Sequence, residues 1–523
     1  IRRPPRSTLD RSAAASDVYK RQAIPLIIGA GGINPAGRVS GHHAYRRLVI
    51  DSLSRKKQER TYLSLAKLMN REKTESINES DRQYILNHTL IRKIEAFDTS
   101  KVLWQTPLSF LASDSEQNEF NLTKKNIPDS LRSQLNIPDS ESDVLRVKTQ
   151  EQIDVLLPEY RESKVTSAGQ LPSGFDPGSL YASRSHPRAL QMTIYAASDA
   201  IRSTGFSIDQ LRNMVPPDQI AVYSGSAMGQ LDEESYGGLL QNALIGNRPS
   251  SIHCALVLPE MAGDFVNAYV LGSVGETAGI IGACATFLYN VKRGMDDIRT
   301  GNKRIVVVGN SEAPVQPQVI EGYRVMGALA DDESLKTLDN SDVCDNRRAC
   351  RPFSSNSGFT VAEASVWIVL MDDELALEVG ARNLGAVGDV FVNADGYKKS
   401  IPGPGIGNYI TMANALSTAK AILGEQTLKT GTYMQAHGTG TPQNRVTESH
   451  ILSSLAQEFG IENWLIGAVK CYLGHSMAPA GADQLSAILG AWADGIVPGI
   501  TTIDHIASDA VSYTHLTLPT SDL

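Results

Sequence analysis

From Ser167 onward, short apolar runs alternate with longer amphipathic segments. The apolar runs end in small or polar residues and include "QIAVYSGSAMG", "KRIVVVGNSEAP", "ASVWIVLMDD" and "WLIGAVKCYLG". Between them, segments such as "HPRALQMTIYAASDAIRSTG" and "TMANALSTAKAILG" carry apolar residues at helical spacing. Near-continuous apolar strands separated by helices are typical of a sheet covered on both faces. The pattern therefore predicts an α/β protein with a buried, partly parallel sheet.

The chain before Ser167 has a different pattern. It opens with "AIPLIIGAGG", which predicts a short buried strand running into a glycine turn. GAGG lacks the later glycine and the acidic partner of a dinucleotide fingerprint, so it does not favour a nucleotide site. From about 51 to 165 the chain is polar and charged, with helical stretches such as "ERTYLSLAKLMNREK", and we interpret it as a charged helical insertion. Its basic run at 55–57 is typical of a solvated face, with a docking contact for an acidic partner as the alternative.

Composition and charge exclude several classes of function. The chain has 523 residues, a hydrophobic fraction of 41% and a net charge of −8, which disfavours a nucleic-acid-binding surface. No apolar run reaches the ~18 residues of a membrane span. The five cysteines form neither a CxxC pair nor a zinc-ligand spacing. We therefore expect reduced thiols, a cytoplasmic location and no bound metal.

Both ends of the chain differ from its interior. The stretches "IRRPPRSTLDRSAAASDVYKRQ" and "AVSYTHLTLPTSDL" resemble translated adapter sequence rather than part of a fold. We expect residues 1–22 and 510–523 to be non-native and the natural C-terminus to be absent.

Cys284 lies in "GIIGACATFLYN", where a glycine-punctuated, partly β-like stretch gives way to a helical pattern. A thiol at a helix N-terminus faces unsatisfied N–H groups and the positive end of the helix dipole, which favours the thiolate. Its small neighbours permit a tight turn and leave room for a substrate. Taken alone, a cysteine in this setting is more often an inert core thiol, so both interpretations stay open.

Two histidines stand in similar settings. His437, in "MQAHGTGTPQNRVTE", follows an apolar approach and precedes a glycine–threonine turn, which predicts a strand end. His475, in "VKCYLGHSMAPAG", follows a strand pattern and Lys470, beside small residues that open a helix. Each histidine taken singly is more simply interpreted as a structural residue.

Together, one thiol and two imidazoles indicate carbon–carbon bond formation between thioesters. The thiolate takes an acyl group, which divides the reaction into two easier steps. Two neutral imidazole N–H donors then stabilise the enolate that forms when a malonyl thioester loses carbon dioxide.

The same stretches carry a family resemblance. "ACAT" (283–286), "AHGTGT" (436–441) and "KCYLGHSMAPAG" (470–481) resemble the Cys–His–His signature of β-ketoacyl-acyl carrier protein synthases. "GNSEAP", "RPF…GFTVAEA" and "ADGYKKSIPGPGIGN" follow in the family's order. Longer phrases such as "AGRVSGHHAYRRLVIDSL" and "NRVTES" resemble the large synthases of some γ-proteobacteria, which start fatty-acid synthesis by condensing acetyl-CoA with malonyl-acyl carrier protein.

The resemblance implies a thiolase fold, with two similar α/β halves in five layers (αβαβα), assembled as a homodimer. The halves would span 23–370, with the insertion at about 51–165, and 371–509, truncated at its C-terminal end. No cofactor is implied. The substrates would be an acyl-CoA and malonyl-acyl carrier protein, which presents its substrate on a phosphopantetheine arm.

The resemblance also assigns roles to residues. Cys284 would be the acylated nucleophile, and its backbone N–H would form part of the oxyanion hole. His437 and His475 would be the donors for decarboxylation and condensation, and Lys470 would steady the network of the second histidine. The remaining implied site residues are Thr439 and Thr441, which would approach the pantetheine arm, and Phe287, whose bulk would limit the acyl pocket.

The chain departs from the family pattern in three places. After the first histidine, a usual glycine–aspartate pair is replaced by Asn444 and Arg445, although Glu448 is kept. Nine residues beyond His475, many members carry a glutamate where this chain has Gln484, next to Asp483. The family's late glycine-rich phenylalanine loop, which gates the acyl pocket, is missing. The first two changes bear on the charge balance around Lys470.

Three alternatives remain. An elongating or polyunsaturated-lipid ketosynthase that uses longer acyl primers would carry the same signature. A non-catalytic, chain-length-controlling partner has the same fold but typically lacks the nucleophile, so Cys284 argues against it. A cysteine hydrolase needs one histidine oriented by Asp or Asn, and the paired histidines disfavour that class.

Overall fold

The computed structural model describes residues 22–71, 77–111, 118–124, 127, 129–132, 142–149, 152–396 and 405–510. They belong to two compact units, one formed by the chain up to Phe97 and from Lys164 onward, the other by Asp98–Ser163. The end segments expected to be non-native lie outside the described residues, except for Gln22 and Ala510.

The described strands, in chain order, are β1 (Pro25–Asn34), β2 (Gly37–Arg38), β3 (Ile91–Lys93), β4 (Val102–Phe110), β5 (Asn118–Thr123), β6 (Val144–Thr149), β7 (Ile153–Arg161), β8 (Ser167–Gly169), β9 (Ile220–Tyr223), β10 (Glu276–Ala278), β11 (Ile305–Glu312), β12 (Ala364–Asp372), β13 (Gly385–Ala386), β14 (Tyr433–Gln435) and β15 (Leu465–Gly467).

The described α-helices are α1 (His43–Leu48), α2 (Arg55–Leu68), α3 (Glu79–Asn87), α4 (Asp129–Arg132), α5 (Arg188–Ser203), α6 (Ile208–Asn213), α7 (Tyr236–Gln241), α8 (Ser251–Leu256), α9 (Met261–Phe265), α10 (Thr286–Arg299), α11 (Pro317–Val325), α12 (Asp332–Asp339), α13 (Asp373–Glu378), α14 (Ile406–Leu423), α15 (Glu425–Thr430), α16 (Pro442–Phe459), α17 (Lys470–Leu473) and α18 (Ala480–Asp494). Among the described residues, no helix combines the length and the apolar character needed to cross a bilayer.

The larger unit is built on a mixed sheet of seven described strands in the order β10–β9–β11–β12–β1–β13, with β2 paired to β1. Strand β9 runs parallel to β10 and β11, whereas β12 is antiparallel to β11 and β1. The central strands β11 and β12 are buried along their whole length, as their apolar runs predicted. The buried, partly parallel sheet is therefore confirmed. The predicted boundary between the halves, at residue 370, falls inside β12.

Helices cover this sheet on both faces. Helix α5 packs on one face, against Ile28 of β1 and Trp367 of β12. Helices α10 and α18 lie on the other face, and the same hydrophobic core continues to Ile466 in the parallel pair β14–β15. Beyond that pair it reaches Leu416 of α14 and Leu452 of α16. This succession of helix, sheet, helix, sheet and helix agrees with the five expected layers.

The GAGG stretch lies inside β1 rather than in a turn after it. A Cβ added at Gly31 would stand 2.2 Å from the backbone nitrogen of Ala200 in α5, so a larger residue would separate strand and helix. The glycines serve this close approach, and the strand continues to Asn34. The predicted glycine turn was therefore wrong.

The structure corrects the interpretation of residues 51–165 as one helical insertion. Helices α2 and α3 belong to the larger unit and pack around Leu65 and Ile85. The separate unit begins only at Asp98, and its described residues form the antiparallel pairs β4–β7 and β5–β6 with the short helix α4. In β6, exposed and buried residues alternate at the period of two that strands require.

Candidate active site

Cys284, His437 and His475 converge in the larger unit. The Sγ of Cys284 and one ring nitrogen from each histidine all lie within 4.8 Å of one another. The two imidazole planes stand at 87°, with their centroids 5.4 Å apart. The three segments that carried the sequence signature therefore form one cluster.

Cys284 lies in a single 3₁₀ turn between β10 and α10, where the sequence predicted a change of structure. Ala283 in that turn has φ = +49°, a left-handed conformation that non-glycine residues seldom adopt. The turn is held by the first residues of α10. Thr286 Oγ1 donates to the Ala283 carbonyl at 2.6 Å, and the Asn290 amide bonds both the N–H and the C=O of Ile280 at 3.0 Å. These contacts fix a half-buried thiol just before the N-terminus of α10.

His437 lies two residues after the end of β14, near the strand end that was predicted. The carboxylate of Glu448 accepts from the backbone N–H groups of His437 and Gly438 at 2.6 and 2.8 Å. Lys470 Nζ donates to the His437 carbonyl at 2.6 Å and lies 3.4 Å from its Nδ1. Because an ammonium group only donates, it selects the tautomer whose Nδ1 carries the lone pair and whose Nε2 carries the proton.

His475 does not lie at a strand end. Helix α17 intervenes after β15, and the chain leaves it through Gly474 at φ = +80°, which favours glycine. The His475 backbone bonds the Thr360 carbonyl and the Ala362 N–H at 2.7 and 3.0 Å. The Met477 N–H donates to His475 Nδ1 at 3.1 Å. A backbone N–H has no alternative role, so this imidazole also carries its proton on Nε2.

Electrostatics keep both imidazoles neutral. Burial lowers the pKa of His437 and of His475 well below 6.5, and the charge of Lys470 acts in the same direction. Burial also lowers the pKa of Lys470, while the nearby Cys284 and Glu448 oppose that shift. At neutral pH the cluster therefore presents two uncharged N–H donors beside a thiol and a lysine.

The structure corrects the contact expected for Lys470. The resemblance placed it in the network of the second histidine, but its hydrogen bonds reach His437. The reason is the pairing of β14 with β15. Two parallel neighbours bring the residues that follow them, His437 and Lys470, to the same edge of the sheet.

The other predicted site residues are buried near these turns. Thr439 and Thr441 contact each other through their hydroxyls at 3.1 Å, and Thr441 caps α16 by accepting from Asn444 N–H. Phe287, in the first turn of α10, is 1% exposed and packs against Gly481 at the start of α18. Their roles toward substrate stay predictions.

The residues that depart from the family pattern have identifiable partners. Gln484 Nε2 donates to the Gln435 and Ala436 carbonyls at 3.2 and 2.5 Å, and so braces the strand end before His437. Arg445 binds the Ser354 carbonyl, the Asn356 side chain and the Asp509 carboxylate.

Sequence reasoning missed Glu312 at the end of β11. Its carboxylate accepts from the backbone N–H groups of Ala227 and Met228, and burial raises its pKa to about 8. An acid that closes the fully buried run "IVVVGNSE" was the available signal.

Sequence reasoning also missed an apolar wall beside His475. Phe359 packs edge-on against His475 with centroids 5.5 Å apart, and Tyr323 packs on Phe359 at 5.2 Å. The Tyr323 hydroxyl donates to Met228 Sδ at 3.2 Å. Burial raises the pKa of Tyr323 to about 12, with Cys284 and Glu312 acting in the same direction, so the hydroxyl keeps its proton.

Comparison with known proteins agrees with this site. The β-ketoacyl synthase N-terminal domain family matches residues 135–376, and the C-terminal domain family matches residues 384–504. The chain is 48% identical over 503 residues to the beta-ketoacyl-[acyl-carrier-protein] synthase FabY of Pseudomonas aeruginosa, covering 93% of this chain and 79% of that protein. Nodulation protein E of Rhizobium sp. is 26% identical over 59% of this chain and 70% of its own length.

Solved structures agree as well. The crystal structure of the noncanonical ketosynthase FabY from P. aeruginosa superposes with a TM-score of 0.93 at 46% identity, over 97% of this chain and 82% of that one. A beta-ketoacyl synthase from Burkholderia phymatum, at 16% identity and a TM-score of 0.63 over 96% of this chain and 94% of that one, shares the fold. The expected family, thiolase fold and reaction class are confirmed. The chain belongs to the β-ketoacyl synthases, the decarboxylative condensing acyltransferases of fatty-acid biosynthesis.

Proposed function

We propose that this synthase loads an acetyl group from acetyl-CoA onto Cys284 and condenses it with malonyl-acyl carrier protein. The observation that carries the proposal is the convergence of the thiol with two imidazoles within 4.8 Å, both with Nδ1 facing a donor. Such imidazoles aim Nε2–H groups at the reacting carbonyl, which is what enolate stabilisation requires.

The reaction proceeds in two stages. The Cys284 thiolate attacks the primer thioester, the C–S bond to coenzyme A breaks, and the acyl group stays on the enzyme. The malonyl thioester then loses carbon dioxide, and the electron pair of the broken C–C bond becomes an enolate whose oxygen accepts from His437 and His475 Nε2–H. The enolate carbon attacks the acyl carbonyl, and Cys284 leaves as thiolate.

Lys470 and the two threonines have supporting roles in this proposal. Lys470 holds the His437 tautomer through the Nδ1 contact and places a positive charge near the thiolate. Thr439 and Thr441, in the turn that follows His437, accept and donate hydrogen bonds along the pantetheine arm of the carrier.

The wall formed by Tyr323, Met228 and Phe359 supports a short primer. These side chains contact one another beside His475, and the Tyr323 hydroxyl is occupied by the Met228 sulfur. Phe287, by contrast, packs into the interlayer core, which supports a structural contribution at least as strongly as the pocket limit that the sequence suggested.

A homodimer is part of the proposal. Strand β10 ends the order of the described sheet, and Ile280, Ile281 and Leu288 beside it are 41–51% exposed. An edge strand flanked by exposed apolar side chains suits pairing with a second copy. A thiol nucleophile also suits a reducing, cytoplasmic setting.

Primer choice is tested by incubating the full-length protein with acetyl-CoA or with long-chain acyl-carrier thioesters and weighing the Cys284 peptide. An acetyl adduct that forms preferentially and proceeds to acetoacetyl-carrier product supports the proposal. Labelling by long chains alone would favour the elongating alternative instead. Cys344→Ala serves as the matched control, because burial raises the pKa of that thiol to about 11 and its loss should leave labelling unchanged.

A further inference from the structure

We infer that Asp483 is a positioning residue for His475, acting through Ser476 and the turn that carries the Met477 N–H. The inference rests on the role assigned to His475 under the proposed function. Asp483 lies in the first turn of α18 and is 3% exposed. The family motifs quoted above give this position no role.

The carboxylate joins two segments of the larger unit. Asp483 Oδ2 accepts from Ser476 Oγ at 2.6 Å, and Oδ1 accepts from Asn34 Nδ2 at 2.9 Å. Asn34 is the last residue of β1, and its own Oδ1 accepts from Ala36 N–H at 3.0 Å. Asp483 thereby ties the residue next to His475 to the end of a central sheet strand.

The turn held in this way needs an anchor. Met477 has φ = +60°, a left-handed conformation that is strained for a non-glycine residue. In this turn its N–H reaches His475 Nδ1 at 3.1 Å. Fixing the preceding Ser476 side chain therefore helps hold the N–H that places the His475 proton on Nε2.

The charge at Asp483 is also informative. Burial raises its pKa to about 6, against the opposing effects of Ser476, Asn34 and Lys470, so the group is a carboxylate at neutral pH. A folded-state pKa above the ordinary value of 3.8 means that the ionised group disfavours folding at neutral pH. A buried charge retained at a cost to stability points to function. It stands one residue before Gln484, where the family resemblance had suggested an acid.

The test uses a Cys284→Gln background, in which decarboxylation of malonyl-carrier protein is measured without condensation. Adding Asp483→Asn should lower kcat about tenfold with KM unchanged, a fraction of the ~10²–10³-fold loss for a donor removed outright. The melting temperature should stay equal or rise, because the isosteric amide removes the buried charge. A merely structural role predicts the opposite, a lower melting temperature with kcat per folded molecule unchanged.

Ser476→Ala provides a second variant in case Asp483→Asn does not fold. It should reproduce the loss in kcat. The Asp483→Asn/Ser476→Ala double variant should be no slower than the slower single variant, because both substitutions break the same hydrogen bond. Asp297→Asn is the matched control, since Asp297 is another buried helical aspartate that accepts a 2.6 Å hydrogen bond, from the Tyr223 hydroxyl. It should change the melting temperature and leave kcat unchanged.

A His475→Ala variant tests the role of His475 separately from the role of Asp483. If His475→Ala leaves decarboxylation unchanged, the proposed role of that histidine is wrong. If His475→Ala removes decarboxylation while Asp483→Asn has full kcat, or if the Asp483 and Ser476 losses are additive, the inference about Asp483 is overturned.

Discussion

The two histidines of the site reach the same state by different means. His475 takes its tautomer from a backbone N–H that has no second protonation state, whereas His437 takes it from the side chain of Lys470, which titrates. The chain around His475 is bound on both sides by backbone hydrogen bonds, while that around His437 depends on the carboxylate of Glu448. The tautomer of His475 is therefore set by a backbone group, and that of His437 by a charged side chain.

The largest expected effect treats the two donors as equals. In the Cys284→Gln background, His437→Ala and His475→Ala should each lower the decarboxylation rate by about 10²–10³-fold, because each removes one donor to the enolate oxygen. Turnover of malonyl-carrier protein measures the effect. His450→Ala, which removes an exposed histidine on α16, should leave the rate unchanged. If only one of the two substitutions lowered the rate, the claim that both histidines donate to the enolate oxygen would be wrong.

Replacing Lys470 should weaken the His437 donor and leave the His475 donor unchanged. Lys470→Met should lower decarboxylation about 10–100-fold, because His437 loses the group that selects its tautomer while keeping its ring. In double-variant kinetics, the loss should be non-additive with His437→Ala and close to additive with His475→Ala.

Lys303→Met is the matched control for Lys470, since Lys303 is also buried and donates to a backbone carbonyl. It should change the melting temperature without changing the rate. If the losses were non-additive with His475→Ala and additive with His437→Ala, Lys470 would act on the second histidine, as the family resemblance implied.

The dependence on pH separates the two donors more finely. Both histidine pKa values are lowered, so the imidazoles themselves stay neutral as pH falls below 6.5, and a loss on the acid side should follow the protonation of Asp483, whose pKa is raised to about 6. The pKa of Lys470 is lowered from 10.5, so at a pH below that value it becomes a neutral amine, which can also accept and no longer fixes the tautomer of His437. Decarboxylation should therefore fall up to about tenfold on the alkaline side. Lys470→Arg should move the alkaline fall in the decarboxylation rate to higher pH. An unchanged fall would contradict its assignment to the deprotonation of Lys470.

The sequence predicted the cluster better than it predicted the reasons for it. Local patterns predicted the setting of each site residue: the small residues around Cys284, the apolar approach to His437 and the helix after His475. The contact of Lys470 with His437 is not local, because it follows from the pairing of β14 with β15. The contacts of Glu312 and Asp483 could not be predicted for the same reason, since their partners include residues on other elements. The interpretation of residues 98–163 as helical was wrong because the high charge of the stretch was given more weight than the strand-like alternation within it.

The smallest expected effect concerns the first turn of α18, which serves both donors through neighbouring residues. Asp483 faces the turn of His475, and Gln484 donates to the Gln435 and Ala436 carbonyls before His437. Gln484→Glu restores the acid common in the family but sets a carboxylate against two carbonyl oxygens that need a donor, a mismatch that costs about 1–3 kcal/mol. We expect a lower melting temperature and a decarboxylation rate reduced a few-fold through His437, so the loss should be non-additive with His437→Ala. Gln170→Glu, at a buried amide that also donates to a carbonyl, should lower the melting temperature alone. A faster Gln484→Glu enzyme would mean that this chain gains from the family's acid, and that the donor from Gln484 is not what holds His437 in place.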